Sequence, residues 1–155
     1  MSFLPCLVDN TISHCSVPPY QCAATYEEAA RIVRRTLFAQ PVKGLSGLVL
    51  GSLTPWAEGI LLLHGATKTT TAEYSIIQAE DPRTQYVPIF DMIAKPVQHD
   101  FVFSCSSLGH DGLGRFGDPW NPNGDMETFA RIHDLWLKPG GKLYLALPTG
   151  ADILN

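Results

Sequence analysis

Apolar positions along this chain switch between two periods. From Tyr26, the positions Ala29 or Ala30, Val33 and Leu37 recur at helical spacing behind Thr25-x-x-Glu28, which has the form of a capping box, until Pro41 stops the run. This pattern predicts an amphipathic helix from about Tyr26 to Ala39. Residues 1–24 carry Pro18-Pro19 and no clean period, so an irregular N-terminal arm is expected ahead of one domain spanning 25–155.

Short apolar runs then alternate with helical patterns. Gly47-Leu48-Val49-Leu50-Gly51 reads as a strand covered on both faces. Thr54 suits an N-cap with Pro55 at the first helical position, and the helix it opens should end at Gly65, after His64. Thr69 to Tyr74 is a β-branched second strand, and Tyr86 to Phe90 a third. Pro88 has no N–H for a ladder, which places the third strand at an edge. Phe101 to Cys105 is the fourth. A helix beginning at Asp125 should turn Met126, Phe129, Ile132 or His133, and Trp136 to one face. The turn Leu137-Lys138-Pro139-Gly140-Gly141 then leads into a fifth strand, Lys142 to Leu147. Strands alternating with helices imply an α/β fold with a mostly parallel sheet of about five strands and right-handed crossovers.

A chain of 155 residues fits a single domain with a sizeable core. Its formal net charge of -4 leaves no basic field for phosphates, because Arg31, Arg34 and Arg35 cluster without support elsewhere. Nucleic acid is therefore not expected as a partner. Apolar stretches such as Ile60 to Leu63 fall far short of the roughly 18 residues of a membrane span, and Met1 to Leu7 lacks the regions of a signal peptide. These features predict a soluble intracellular protein. Cys6, Cys15 and Cys22, with His14, form no standard zinc spacing and read as reduced thiols, and Cys105 reads as a small core residue.

The last third carries a resemblance. The strand ending in Ser104-Cys105-Ser106-Ser107, a Gly/Asp/Asn-rich loop, a helix and "LKPGG" before an apolar strand together resemble the strand-four to strand-five unit of class I S-adenosylmethionine-dependent methyltransferases. The loop from Ser106 to Pro119, followed by Asn121-Pro122-Asn123-Gly124-Asp125, is similar to the signature of the DUF268 family, a methyltransferase-like group. The resemblance covers about Gly47 to Pro148. It implies a Rossmann-like three-layer sandwich and S-adenosylmethionine as cofactor.

Ligands of such sheets bind beyond the carboxyl ends of the strands, at the switch in strand order. By resemblance, Glu73 after the second strand would hold the ribose hydroxyls, and Asp91 after the third would reach the adenine. Gly51, Ser52 and Ser106 would border the cofactor. An ordinary solvated carboxylate is the alternative for Glu73. The usual glycine-rich turn is reduced here to Gly51-Ser52-Leu53-Thr54-Pro55-Trp56, where the family carries a similar "GSxTPWAE" turn, and Trp56 either stacks on an adenine or packs on the sheet. In the loop, His110 is the natural general base, with Asp111 or Asp118 suited to orient it or to bind a substrate amine, and Arg115 is suited to clamp a carboxylate. Asp118, Arg115 and Asn121 are thus the substrate-side candidates. Turn and cap roles are the alternative for Asp118, Asn121, Asn123 and Asp125. DUF268 relatives often carry a Glu before the histidine, where this chain has Gly109. Asp111, Asp118 and Asp125 match no named metal loop, and no metal is assigned.

Class I methyltransferases continue past strand five with a helix and two strands. On this reading the fifth strand is an apolar edge, which predicts a second copy or a partner protein against it. Two functions compete: a small methyltransferase of unknown acceptor with His110 as base, and a non-catalytic methyltransferase-like scaffold. A metal-dependent hydrolase built on the same loop is a third, weaker reading.

Overall fold

The computed structural model describes residues 19–75 and 81–147, with side chains from residue 27 onward. The expected arm up to residue 18, and the side chains of Cys6, His14, Cys15, Cys22 and Tyr26, lie outside the described residues. Helix α1 spans Pro19–Ala39 and so begins earlier than the capping box suggested, with residues 19–24 helical. Pro19 stands at the first helical position, where its fixed φ suits the helix and its missing N–H costs nothing. Val33 and Leu37 are buried as the periodicity required, and Phe38 beside them is exposed.

Five strands follow: β1 (Ser46–Leu50), β2 (Lys68–Glu73), β3 (Thr84–Pro88), β4 (His99–Cys105) and β5 (Leu137–Ala146). All neighbours pair in parallel, in the order β3-β2-β1-β4-β5. Helices α2 (Trp56–Leu63), α3 (Ile89–Ala94) and α4 (Gly124–Arg131) connect them. The chain steps outward from β1 to β3, then returns to lay β4 on the other flank of β1. The order therefore reverses between β1 and β4, and this is where an open parallel sheet leaves a crevice.

Two strands differ from their sequence patterns. β3 ends at Pro88 and not at Phe90, because Ile89 and Phe90 open α3; as expected, β3 is an edge. β5 begins at Leu137, so the predicted turn is absorbed into the strand as a bulge. Between His99 and Phe101, β4 advances two residues while β5 advances five, from Leu137 to Lys142. Gly140 takes φ +78° inside that bulge, a conformation that L side chains rarely adopt.

Side chains alternate across the sheet and build a layer on each face. Val49, Phe101, Phe103 and Tyr144 pack against Val33 and Leu37 of α1 and Ile60 and Leu61 of α2. On the opposite face Leu48, Leu50, Ala72 and Val102 meet Met92 of α3 together with Ile132 and Trp136. The result is a three-layer α/β sandwich. The last two residues belong to a π-helical turn, Ile132–Trp136, that continues α4. Trp136 is fully buried and its indole N–H donates to the Met92 carbonyl at 3.3 Å. Met126 was expected on this buried face but is exposed. Close packing of Gly124 against the backbone of Asp111 and Gly112 sets the rotation of α4, which turns Thr128 inward in its place.

β5 is the outer strand of the described sheet, and Leu143 and Leu145 on it are more than one-third exposed. Among the described residues no helix is long and apolar enough to cross a membrane.

Candidate functional site

A cavity of about 430 Å³ opens at the carboxyl ends of β1, β2 and β4, at the switch in strand order. Gly51, Ser52, Glu73, Ser106, His110, Asp111 and Asp118 all line it, whereas Asp91, Arg115 and Asn121 do not. Asp91 sits exposed on the first turn of α3, and Ile89 lines the cavity where β3 ends. Arg115 is exposed, its guanidinium 5.3 Å from the centre of the Phe116 ring. Asn121 braces a turn: its Oδ1 accepts the Asn123 N–H at 3.1 Å and its own N–H donates to the Gly112 carbonyl at 2.8 Å.

The turn after β1 and the end of β4 are pressed together. Gly51 has φ +69°, and a Cβ there would lie 1.9 Å from Oγ of Ser107. Ser106 adopts φ 59°, unusual for a non-glycine residue and costing on the order of 1–2 kcal/mol, while its N–H donates to the Ala146 carbonyl at 2.8 Å. Such strain gathers at ligand sites. The Thr54 hydroxyl does not cap α2; Pro55 holds the N-cap position, and the Thr54 carbonyl accepts the Ser52 hydroxyl at 2.7 Å. Trp56 lines the cavity and also packs on the sheet, its ring edge-on to Phe103 at 6.2 Å. Leu53 is more than half exposed at the rim.

Glu73, at the end of β2, is a buried carboxylate of the cavity, only 5% exposed. Its Oε1 accepts the Tyr74 N–H at 2.9 Å, yet burial outweighs that and raises its pKa. The hydroxyl of Tyr74 donates to Oδ1 of Asp111 at 3.0 Å, and that of Thr128 donates to Oδ2. Burial, then the Asp111 charge, pushes the Tyr74 phenol well above its ordinary range. Asp118 accepts the Gly114 N–H at 2.8 Å and the Phe116 N–H at 2.9 Å. Its burial raises the pKa, but these backbone donors together prevail and lower it.

Neither carboxylate is hydrogen-bonded to the His110 ring. The imidazole instead meets the Phe116 ring edge to face, at 5.7 Å between centres. Cys105 is half-buried, packs against the core and lines the cavity, and burial raises its pKa. Among the described residues no three His, Cys, Asp or Glu side chains gather as they would around a metal ion.

Three contributors carried little or no signal in the sequence. Tyr74 and Thr128 lie 37 and 17 residues from Asp111, and only the fold brings them to it. Glu58 was detectable as the single acid in the apolar segment Trp56–Leu63. It is 1% exposed, behind the cavity wall; Oε1 accepts the Thr71 hydroxyl at 2.5 Å and Oε2 lies 3.0 Å from Oγ of Ser52. Burial raises its pKa to about 7, against the lowering effect of these hydroxyls.

Two solved structures align with parts of this chain. A chain of the Trypanosoma brucei PRMT1 enzyme-prozyme heterotetrameric complex with AdoHcy aligns with a TM-score of 0.54 at 16% identity, over 80% of this chain and 40% of that one. A Streptococcus mutans protein provisionally assigned as a SAM-dependent methyltransferase aligns with a TM-score of 0.38 at 20% identity, over 47% of this chain and 24% of its own. The chain thus spans less than half the length of either. No curated protein matches the sequence. A family model described as "Caenorhabditis protein of unknown function, DUF268" matches residues 44–155, most of the chain, and the protein belongs to that family.

Proposed function

We propose that the cavity binds S-adenosylmethionine and that the protein is a methyltransferase whose acceptor enters beside the loop 109–125. The observation that carries this reading is the position of Glu73: a buried carboxylate at the end of β2, facing the same cavity as the left-handed Gly51 turn at the end of β1. A carboxylate there suits the paired hydroxyls of a ribose. Gly51 and Ser52 would face the cofactor across the β1 turn, with Ser106 beside them. All 11 Lys and Arg fall within the described residues and none lines the cavity, while Glu73, Asp111 and Asp118 do, a charge balance that suits a cationic ligand. The Trypanosoma brucei neighbour, whose complex holds AdoHcy, supports the same reading.

When bound, S-adenosylmethionine supplies an electrophilic methyl group on a sulfonium. The protein's part is to orient the acceptor and to take its proton, and His110 on the cavity wall is the group suited to accept one. Asp111, held by two hydroxyls, presents a fixed negative charge beside it. The acceptor stays unassigned. Calorimetry with S-adenosylmethionine and S-adenosylhomocysteine tests the reading: micromolar binding to the wild type, weakened about tenfold or more by Glu73→Ala, supports it.

One observation favours a non-catalytic binding subunit as the second reading. Among the described residues no carboxylate is hydrogen-bonded to the His110 ring; those of Asp111 and Asp118 accept hydroxyls and backbone amides instead. Cofactor binding with no methyl transfer to any acceptor would select it. We further propose that the outer edge of β5, with Leu143 and Leu145 partly exposed, pairs with a second copy or a partner protein. Sedimentation showing a monomer with that edge open to solvent would contradict this.

A further inference from the structure

We infer that Glu58 is a positioning residue that acts in its protonated form, its carboxylic proton completing a hydrogen-bond relay that holds the turn Gly51–Pro55 in shape for the cofactor. The inference rests on the reading of the cavity as an S-adenosylmethionine site. It gives a task to the part of the Gly51 to Glu58 motif that the cavity itself leaves unexplained, since Glu58 does not line it.

The argument is a count of hydrogens. A serine hydroxyl has one proton to donate. Oγ of Ser52 lies 2.7 Å from the Thr54 carbonyl, which only accepts, so that proton is committed there. The same Oγ lies 3.0 Å from Oε2 of Glu58. Were Glu58 ionised, two lone pairs would face each other across that contact. A proton on Oε2 turns it into a donor, and the relay then runs in one direction: Thr71 hydroxyl to Oε1, Oε2–H to Ser52, Ser52 hydroxyl to the Thr54 carbonyl.

Surroundings agree with the count. Glu58 is 1% exposed, and burying an unpaired charge is costly. The charged group that acts on it is Glu73 from β2, while Tyr86 from β3 feels the Glu58 charge, and neither brings a positive charge. Burial first, with the Glu73 charge adding to it, sets its pKa at about 7. Loss of the proton would remove the donor from the Oε2 side of its contact with Ser52. Its hydroxyl must then choose between Glu58 and Thr54, and choosing Glu58 frees the turn that borders the cavity.

The test combines two measurements on the intact protein. The carboxyl carbon of Glu58 and the backbone amides of residues 52–56, Pro55 excepted, are followed by NMR from pH 5.5 to 8.5 without ligand, and S-adenosylhomocysteine affinity is measured at pH 6 and pH 8. The inference predicts that the amides shift together with Glu58 ionisation near pH 7, and that affinity is about tenfold weaker at pH 8 than at pH 6. Glu58→Gln keeps both contacts without a titrating proton, because its amide donates to Ser52 and accepts from Thr71, and its affinity should not change between the two pH values. Titration of Glu58 in the ordinary carboxylate range, amides that stay still while it ionises, or a Gln variant with the same pH dependence each overturns the inference. If the ligand binds at neither pH, the cofactor reading fails and the relay is judged on the amide shifts alone. Should the Gln variant not fold, the wild-type titration still decides.

Discussion

The phenolic hydroxyl of Tyr74 donates to Oδ1 of Asp111 at 3.0 Å, tying the end of β2 to the loop that follows β4 across the mouth of the cavity. The Thr128 hydroxyl holds the other carboxylate oxygen from α4. Three segments distant in sequence are thus joined at one carboxylate. Tyr74→Phe removes one of the two ties without changing the shape of the ring. A hydrogen bond to a charged group contributes about 1.5–3 kcal/mol, so the variant should lose on the order of 2 kcal/mol of stability. Amide exchange in residues 109–125 should accelerate about tenfold or more, and exchange equal to that of the wild type would show that the tie does not hold the loop.

Gly51 and Gly109 offer a paired test. At Gly51 a Cβ meets Ser107 and φ is +69°, whereas at Gly109 an added Cβ has nothing within 4 Å. Gly51→Ala should cost about 2 kcal/mol or more and abolish cofactor binding, while Gly109→Ala should stay within about 0.5 kcal/mol of the wild type. Denaturant unfolding of the two variants side by side checks this.

Glu58 should also leave a mark on stability. Its pKa rises from an ordinary 4.5 to about 7 on folding, so between these values the folded state binds more protons than the unfolded chain. The contribution of this group is complete below about pH 4.5, is lost as pH rises through 7, and is level above that, with a total change of about 3 kcal/mol. Unfolding free energies across this window should show the decline in the wild type and a much flatter profile in Glu58→Gln.

Asp91 and Arg115 lie off the cavity, one exposed on α3 and the other exposed over the Phe116 ring. Asp91→Ala and Arg115→Ala should therefore leave S-adenosylhomocysteine affinity within about twofold of the wild type. A larger loss in either, measured by calorimetry, would mean that the bound ligand extends beyond the cavity described.

Local signals carried most of the fold. Hydrophobic periodicity marked α1, and short apolar runs marked β1 and β4, because those elements bury one face or both against their neighbours. Reading failed where tertiary context decides. The Leu137 to Gly141 segment has the composition of a turn, yet pairing with β4 draws it into β5 as a bulge. Met126 fits the apolar face of α4 by spacing, but the contact of Gly124 with the Asp111 and Gly112 backbone turns it outward. In the site, residues tied to strand ends were legible: Gly51, Ser52, Glu73 and Ser106 all reach the cavity. The loop was legible in part: Asp118-Pro119 and Asn121-Pro122 read as turn formers, and both side chains do accept amides of their own turns, whereas the ties of Asp111 to Tyr74 and Thr128 depend on the fold.

The most direct test of the account is the calorimetric titration of S-adenosylhomocysteine into the wild type and Glu73→Ala, with the fold of both verified by circular dichroism. The account predicts micromolar binding to the wild type and about tenfold or greater weakening in the variant. A well-folded wild type that binds neither S-adenosylhomocysteine nor S-adenosylmethionine, or a variant that binds as tightly as the wild type, would contradict the assignment of this cavity as the cofactor site.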